Sequence, residues 1–163
     1  MTSKNIIFLD IDEVLCTSRS RVAYNRMSAL DEICCRFLLE LCKECNCKIV
    51  IHSSWRLHKK GIDLFLEEVN STLPELLDYI MDGNKKRATN PAIYDRLASI
   101  DDWLDKYSTE EQVANFIIID DLQLEFNKDT EYLMENFIKI KNPNVGFDFP
   151  EYWKARKMLR GED

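Results

Sequence analysis

Residues 5–15 read NIIFLDIDEVL. Four consecutive apolar residues, Ile6 to Leu9, are followed by two carboxylates, Asp10 and Asp12, set two positions apart. A run that is apolar on every position reads as a strand covered on both faces, and the alternation of strand side chains puts both acids on one side of its end. Two acids in such a place repel each other and resist leaving water unless something positive compensates. A bound cation is the usual compensation.

Working outward, KIVI (48–51) and FIII (116–119) repeat the apolar pattern, and NFIKI (136–140) repeats it more weakly. Between them lie helical patterns. Residues 29–45 place Ile33, Cys34, Phe37, Leu38, Leu41, Cys42 and Cys45 at helical spacing, and residues 93–107 place Ile93, Leu97, Ile100 and Leu104 on one stripe. GIDLFLEEVN (61–70) and LPELLDYIM (73–81) also read as helical, the second opened by Pro74, and a last helix lies within 150–160. Residues 82–91 carry Gly, Asn and Pro and read as a loop. Apolar strands alternating with helices predict an α/β fold with a doubly wound, Rossmann-like parallel sheet. In such sheets ligands gather at the carboxyl ends of the strands.

Composition agrees with one folded unit. The 163 residues suffice for a single domain, 1–163, with a substantial core, and only four Gly and four Pro leave little room for disorder. A formal charge of −7 argues against broad attraction to nucleic acid or to an anionic membrane, without excluding a local basic groove. The apolar run before Asp10 is too short for a signal peptide or a membrane span, so no membrane insertion is expected. Five of the six cysteines (Cys34, Cys35, Cys42, Cys45 and Cys47) fall within fourteen residues, and most of them read as small core residues of one helix. CKEC (42–45) lacks the second pair that a zinc site needs. Reduced thiols and a cytoplasmic setting fit this usage.

The strand ends carry the chemistry. After the first strand come Asp10 and Asp12; after the second, His52, Ser53, Ser54, Trp55 and Arg56; after the third, Asp120 and Asp121. If these strands are neighbours, the carboxylates converge on one crevice, and hard oxygen ligands of that kind suit Mg²⁺. Beside such an ion an ionised aspartate can attack phosphorus and divide hydrolysis into two easier steps. Each residue also has a structural reading: the aspartates as turn or cap residues, Ser53 and Ser54 as caps, Arg96 as a salt-bridged helix residue, His52 as a core histidine, Trp55 as packing beside the site.

FLDIDEVL, IVIHSSWR and FIIIDD, in that order, resemble motifs I, II and IV of the haloacid-dehalogenase-like (HAD) superfamily of aspartate-based phosphatases. RLASIDDWL (96–104) and IKNPNVGFDFPEYWKARKML (140–159) extend the likeness to the small HAD domains of Swiss-army-knife RNA repair proteins. The resemblance implies a three-layer α/β/α fold and a Mg²⁺-dependent phosphomonoesterase. It implies Asp10 as nucleophile, Asp12 as general acid/base with a metal-binding backbone carbonyl, and Ser53, with Ser54 beside it, as the phosphate-holding hydroxyl. One or both of Asp120 and Asp121 match the metal acids, and Arg96 most resembles the motif III cation, with Lys85, Lys86 and Arg87 as competitors. Glu13 stands where a small residue, often Gly, is commonest in the family; a third acid there can alter the turn or repel an anionic substrate.

Neither the interval after Asp12 nor that between Ser54 and Arg96 has room for a large cap domain. An open crevice favours, by family analogy, a phosphate on a macromolecule. A nucleic-acid end or nucleotide phosphate is the favoured substrate, with Arg19, Arg21 and Arg26, the run Arg56 to Lys60, and residues 85–87 as candidate contacts around the mouth. A phosphoprotein substrate is the alternative, and a HAD-like binding module without turnover is a third reading.

Overall fold

The computed structural model describes residues 2–163. Its sheet contains β1 (Lys4–Leu9), β2 (Cys47–Ile51), β3 (Val113–Asp120) and β4 (Phe137–Lys139), all parallel, in the order β2-β1-β3-β4. Leu9 lies opposite Ile51 on one side and Ile119 on the other, so the three apolar runs end at one level. The helices are α1 (Ser18–Tyr24), α2 (Glu32–Cys45), α3 (Gly61–Thr72), α4 (Arg96–Tyr107) and α5 (Phe149–Arg160).

Alternation along the strands divides the core in two. Ile7, Leu9, Ile49, Ile51, Ile117 and Ile119 face α2, α3 and α5. Ile6, Phe8, Val50 and Ile118 face Leu97, Ile100, Trp103 and Leu104 of α4, with Phe8 edge-on to Trp103 at 5.4 Å. This is the expected three-layer α/β/α sandwich, without a cap.

Several boundaries move for local reasons. The helix expected from residue 29 starts at Glu32, because the Asp31 carboxylate accepts from the Ile33 N–H (3.0 Å) and takes the cap. The helix expected from residue 93 starts at Arg96, behind a cap in which Asp95 accepts from the Ala98 N–H (2.8 Å). Pro74–Tyr79 forms a 3-10 helix rather than an α-helix. Helix α1 is an element the sequence pattern does not announce. Its only buried residue is Ser20, so no apolar stripe marks it; it rests on a reciprocal Thr17–Ser20 cap and on Asp31, which accepts from both Thr17 (2.8 Å) and Arg19 (2.7 Å).

All six cysteines are free and buried, and burial pushes the Cys16 and Cys34 thiols up to about 12. No helix among the described residues is long and apolar enough to cross a membrane.

Gly61 fixes α3 against the turn that follows β2. A Cβ on Gly61 would lie 1.9 Å from the Trp55 carbonyl oxygen, a backbone atom that cannot rotate away. Gly61→Ala is therefore expected to cost about 3 kcal/mol, at the upper end for overpacking, and to lower Tm by roughly 6–12 °C in thermal denaturation. A loss under about 1 kcal/mol would show that α3 slides freely over that turn.

Candidate active site

One residue beyond each apolar run, the parallel ladder continues. The His52 N–H donates to the Leu9 carbonyl (3.0 Å) and the Asp10 N–H to the Ile119 carbonyl (3.0 Å). By the period of two, His52, Asp10 and Asp120 fall on the face of Val50, Phe8 and Ile118, which α4 covers. They form a buried polar row at the carboxyl edge of the sheet.

Because β1 lies between β2 and β3, the His52 side chain crosses the end of β1 to meet Asp120, with Nε2 2.9 Å from Oδ2. Arg96, at the first turn of α4, places Nη1 2.5 Å from the same Asp120 oxygen and 3.1 Å from Asp10 Oδ2. The other Asp120 oxygen accepts from the Leu122 N–H (2.9 Å). Among the described residues Asp10 Oδ1 has no hydrogen-bond partner, although Asp10 is almost wholly buried.

Electrostatics follows from these contacts. Burial, reinforced by the Asp120 charge, raises Asp10 well above the usual carboxylate range, and Arg96 offsets only part of it. Burial also opposes ionisation of Asp120, but the hydrogen bond from His52 and the charge of Arg96 outweigh it and hold Asp120 below the usual range. Burial lowers His52 against the pull of Asp120, and because an ionised carboxylate can only accept, His52 Nε2 is the donor of the contact they share. Asp121, half-buried, is raised by burial and by Asp120, against the pull of its contact with Asp10.

Carboxylate oxygens of Asp10, Asp120 and Asp121 lie within 4.8 Å of one another. An unpartnered buried oxygen, further carboxylate oxygens beside it and no sulfur or nitrogen ligand fit a hard divalent cation such as Mg²⁺. Sequence order and geometry now coincide. Residues 6–151 match the family model described as the HAD domain in Swiss Army Knife RNA repair proteins. The chain belongs to this family. No curated protein and no solved structure matches it. Membership makes the chain a HAD-type hydrolase and implies a phosphorylated substrate.

In this HAD domain the remaining candidates are distributed as follows. Ser53 is fully buried and its Oγ accepts from the Trp55 N–H (3.3 Å), capping the 3-10 turn Ser54–Leu57. Ser54 lies at the mouth of a cleft of about 740 Å³ lined by Asp12, Trp55, Lys60, Leu64 and Glu67. Asp12 stands apart from the three other aspartates, its oxygens taken by Arg21 (3.0 Å) and by the Trp55 indole N–H (2.9 Å). Of the competing cations, Lys86 is bound by Glu110 (2.5 Å) and Glu111 (2.6 Å), Arg87 lies 3.8 Å from Asp63, and Lys85 lines a separate cavity beside Trp103. Arg96 alone among the four meets Asp10.

The basic mouth expected from local sequence is largely spent inside the fold. Arg19 pairs with Asp31, Arg21 with Asp12 and Glu13, and Arg26 with Glu68. Arg56 is buried and donates to the carbonyls of His52, Ser53, Ile93 and Tyr94. Glu13 has φ +63°, the left-handed region that favours glycine, at a cost of roughly 1–2 kcal/mol for a side-chain-bearing residue. Its carboxylate is held by Arg21 at 2.5 Å. No local pattern in the sequence pairs Arg21 with Asp12 or Glu13, and no apolar pattern marks the helix that delivers it.

Proposed function

We propose that this HAD domain is a Mg²⁺-dependent phosphomonoesterase working through an aspartyl-phosphate on Asp10, with residues 1–163 acting as one unit. The observation that carries this reading is the Asp10 carboxylate: one oxygen is tethered by Arg96, and the other is buried without a partner beside Asp121. Asp10, Asp121 and the backbone carbonyl of Asp12 would hold the ion, with Asp120, already engaged by His52, Arg96 and Leu122, completing the acidic set from behind. When bound, Mg²⁺ neutralises charge on the carboxylates and the phosphoryl oxygens.

The chain's own groups then divide the work. Asp10 attacks phosphorus while Asp12 gives a proton to the departing ester oxygen. Asp12 afterwards takes a proton from water as that water attacks the aspartyl-phosphate, releasing inorganic phosphate and restoring Asp10. Ser53, Ser54 and Arg96 hold phosphoryl oxygens during both displacements. Buried, unpaired thiols support a reducing, cytoplasmic setting.

A nucleic-acid end is the favoured substrate. Its support is the kinship with RNA repair HAD domains and a crevice that no cap encloses. A phosphoprotein is favoured by a different observation, the internal pairing of most nearby cations and the acidic Asp63 and Glu67 along the cleft. Phosphate release from a 3′-phosphorylated oligonucleotide, a nucleoside monophosphate and a phosphotyrosine peptide ranks these substrates. Hydrolysis is expected to require millimolar Mg²⁺ and to stop with EDTA; turnover in EDTA would overturn the metal-dependent mechanism, and no turnover on any phosphomonoester with Mg²⁺ would leave a binding module.

A further inference from the structure

Both oxygens of the Asp12 carboxylate are held, by donors from two different elements. Arg21 of α1 reaches Oδ1 through Nη2 at 3.0 Å, and Trp55, in the turn after β2, reaches Oδ2 through its indole N–H at 2.9 Å. Neither donor is loose. Arg21 Nη1 is bound by Glu13 at 2.5 Å and its Nε by the Met27 carbonyl at 2.9 Å, and its side chain is only 16% exposed. The Trp55 ring stands edge-on to Phe65, and its carbonyl is packed against Gly61.

The backbone supports the same arrangement. The Glu13 N–H donates to the Cys16 carbonyl (2.9 Å), closing the turn in which Glu13 has its left-handed φ. Gly146 presses against that turn, where a Cβ would come 2.4 Å from the Val14 carbonyl oxygen. Asp12 nonetheless remains open to its cleft, its side chain 44% exposed. Each carboxylate oxygen has two lone pairs, so one donor per oxygen still leaves a lone pair on each for a proton.

We infer that Arg21 and Trp55 are positioning residues that aim the Asp12 carboxylate at the leaving group, and that Glu13 serves this chain by fixing Arg21. The inference rests on the proposed role of Asp12 as proton donor and adds which groups orient it. On this reading Glu13 counts for turnover rather than against it. A carboxylate on a flexible side chain samples several rotamers, and holding both oxygens removes that freedom before substrate arrives.

The test measures kcat/KM, which reports phosphoryl transfer to Asp10, on phenyl phosphate and on p-nitrophenyl phosphate. The phenolate leaves poorly without a proton, whereas the nitrophenolate needs little help. Trp55→Phe and Arg21→Gln are each expected to lose about tenfold on phenyl phosphate, a fraction of the ~10²–10⁴ that general acid catalysis supplies, and at most about threefold on p-nitrophenyl phosphate. In an Asp12→Asn background the same substitutions should cost nothing further on phenyl phosphate. Arg21→Lys should recover part of the loss, and the Mg²⁺-induced rise in Tm should be unchanged in every variant. Equal losses on both substrates, or losses that add to that of Asp12→Asn, would overturn the inference while leaving the phosphatase reading intact. Absence of turnover in the parent protein would overturn both.

Discussion

Asp10→Asn is expected to abolish phosphate release, by at least ~10⁴-fold in kcat, while leaving the metal-free protein as stable as the parent or more stable. The two effects have one cause. The Asp10 carboxylate is buried beside Asp120 and Asp121, and burial and repulsion together oppose its charge. Asparagine keeps the shape, removes the charge and removes the proposed nucleophile. Arg96 loses one ion pair but keeps Asp120 at 2.5 Å, so the lattice of contacts behind the site survives. Steady-state kinetics and thermal melting in EDTA check both halves. Turnover above about 1% of the parent would remove Asp10 from the role of nucleophile. A marked fall in Tm would mean that its charge is a structural tie to Arg96. Mg²⁺ should raise the parent's Tm by mass action on the folded state, and should do so less for the variant, which offers one carboxylate fewer.

The parts visible in the sequence are those that depend on short-range pattern. Strands β1, β2 and β3 are buried on both faces and therefore announce themselves as unbroken apolar runs. Once the structure sets β1 between β2 and β3, these runs end at one level and bring Asp10, Asp120 and Asp121 together, as the sequence requires if the strands are neighbours. What pattern could not supply is the partner of each charge. Arg26 pairs with Glu68, forty-two residues away, and Lys86 pairs with Glu111, so basic stretches that looked free in sequence are neutralised by distant acids. From sequence His52 reads as a core histidine, and it is fully buried; the same residue is also the donor that holds Asp120, which only the strand order β2-β1-β3 reveals. Glu13 stood out against the family pattern, and its positive φ gives the physical reason a small residue is common there. Its partner Arg21 comes from α1, a helix whose one buried residue is a serine, so no periodicity pointed to it.

Arg96→Met should produce the second large effect, and it reaches stability as well as activity. Among the described residues Arg96 is the one cation within an ion-pair distance of both Asp10 and Asp120, and its side chain is only 18% exposed. Removing one partner of a buried ionic cluster leaves the others unpaired, which costs about 3 kcal/mol at the lower end of the range for such losses. For a chain of 163 residues this lowers Tm by roughly 6–12 °C. Millimolar Mg²⁺ should recover part of the fall, because it binds the folded variant and restores positive charge among the same oxygens. Turnover should drop about 10²- to 10³-fold, the scale for losing one charge-stabilising donor at a reacting centre. The sign of the pH effect follows from Asp120. Burial opposes its ionised form, His52 and Arg96 more than compensate, and its folded pKa lies below the unfolded one. Its stabilisation is therefore present above about pH 4 and is lost as pH falls through the lower folded value. Without Arg96 that folded value rises, so acid unfolding should begin at higher pH in the variant, with Arg96→Lys falling between the two. An Arg96→Met protein that melts and turns over like the parent would reduce Arg96 to a bystander, and would leave the proposed Mg²⁺ to supply the counter-charge for the carboxylates of this site.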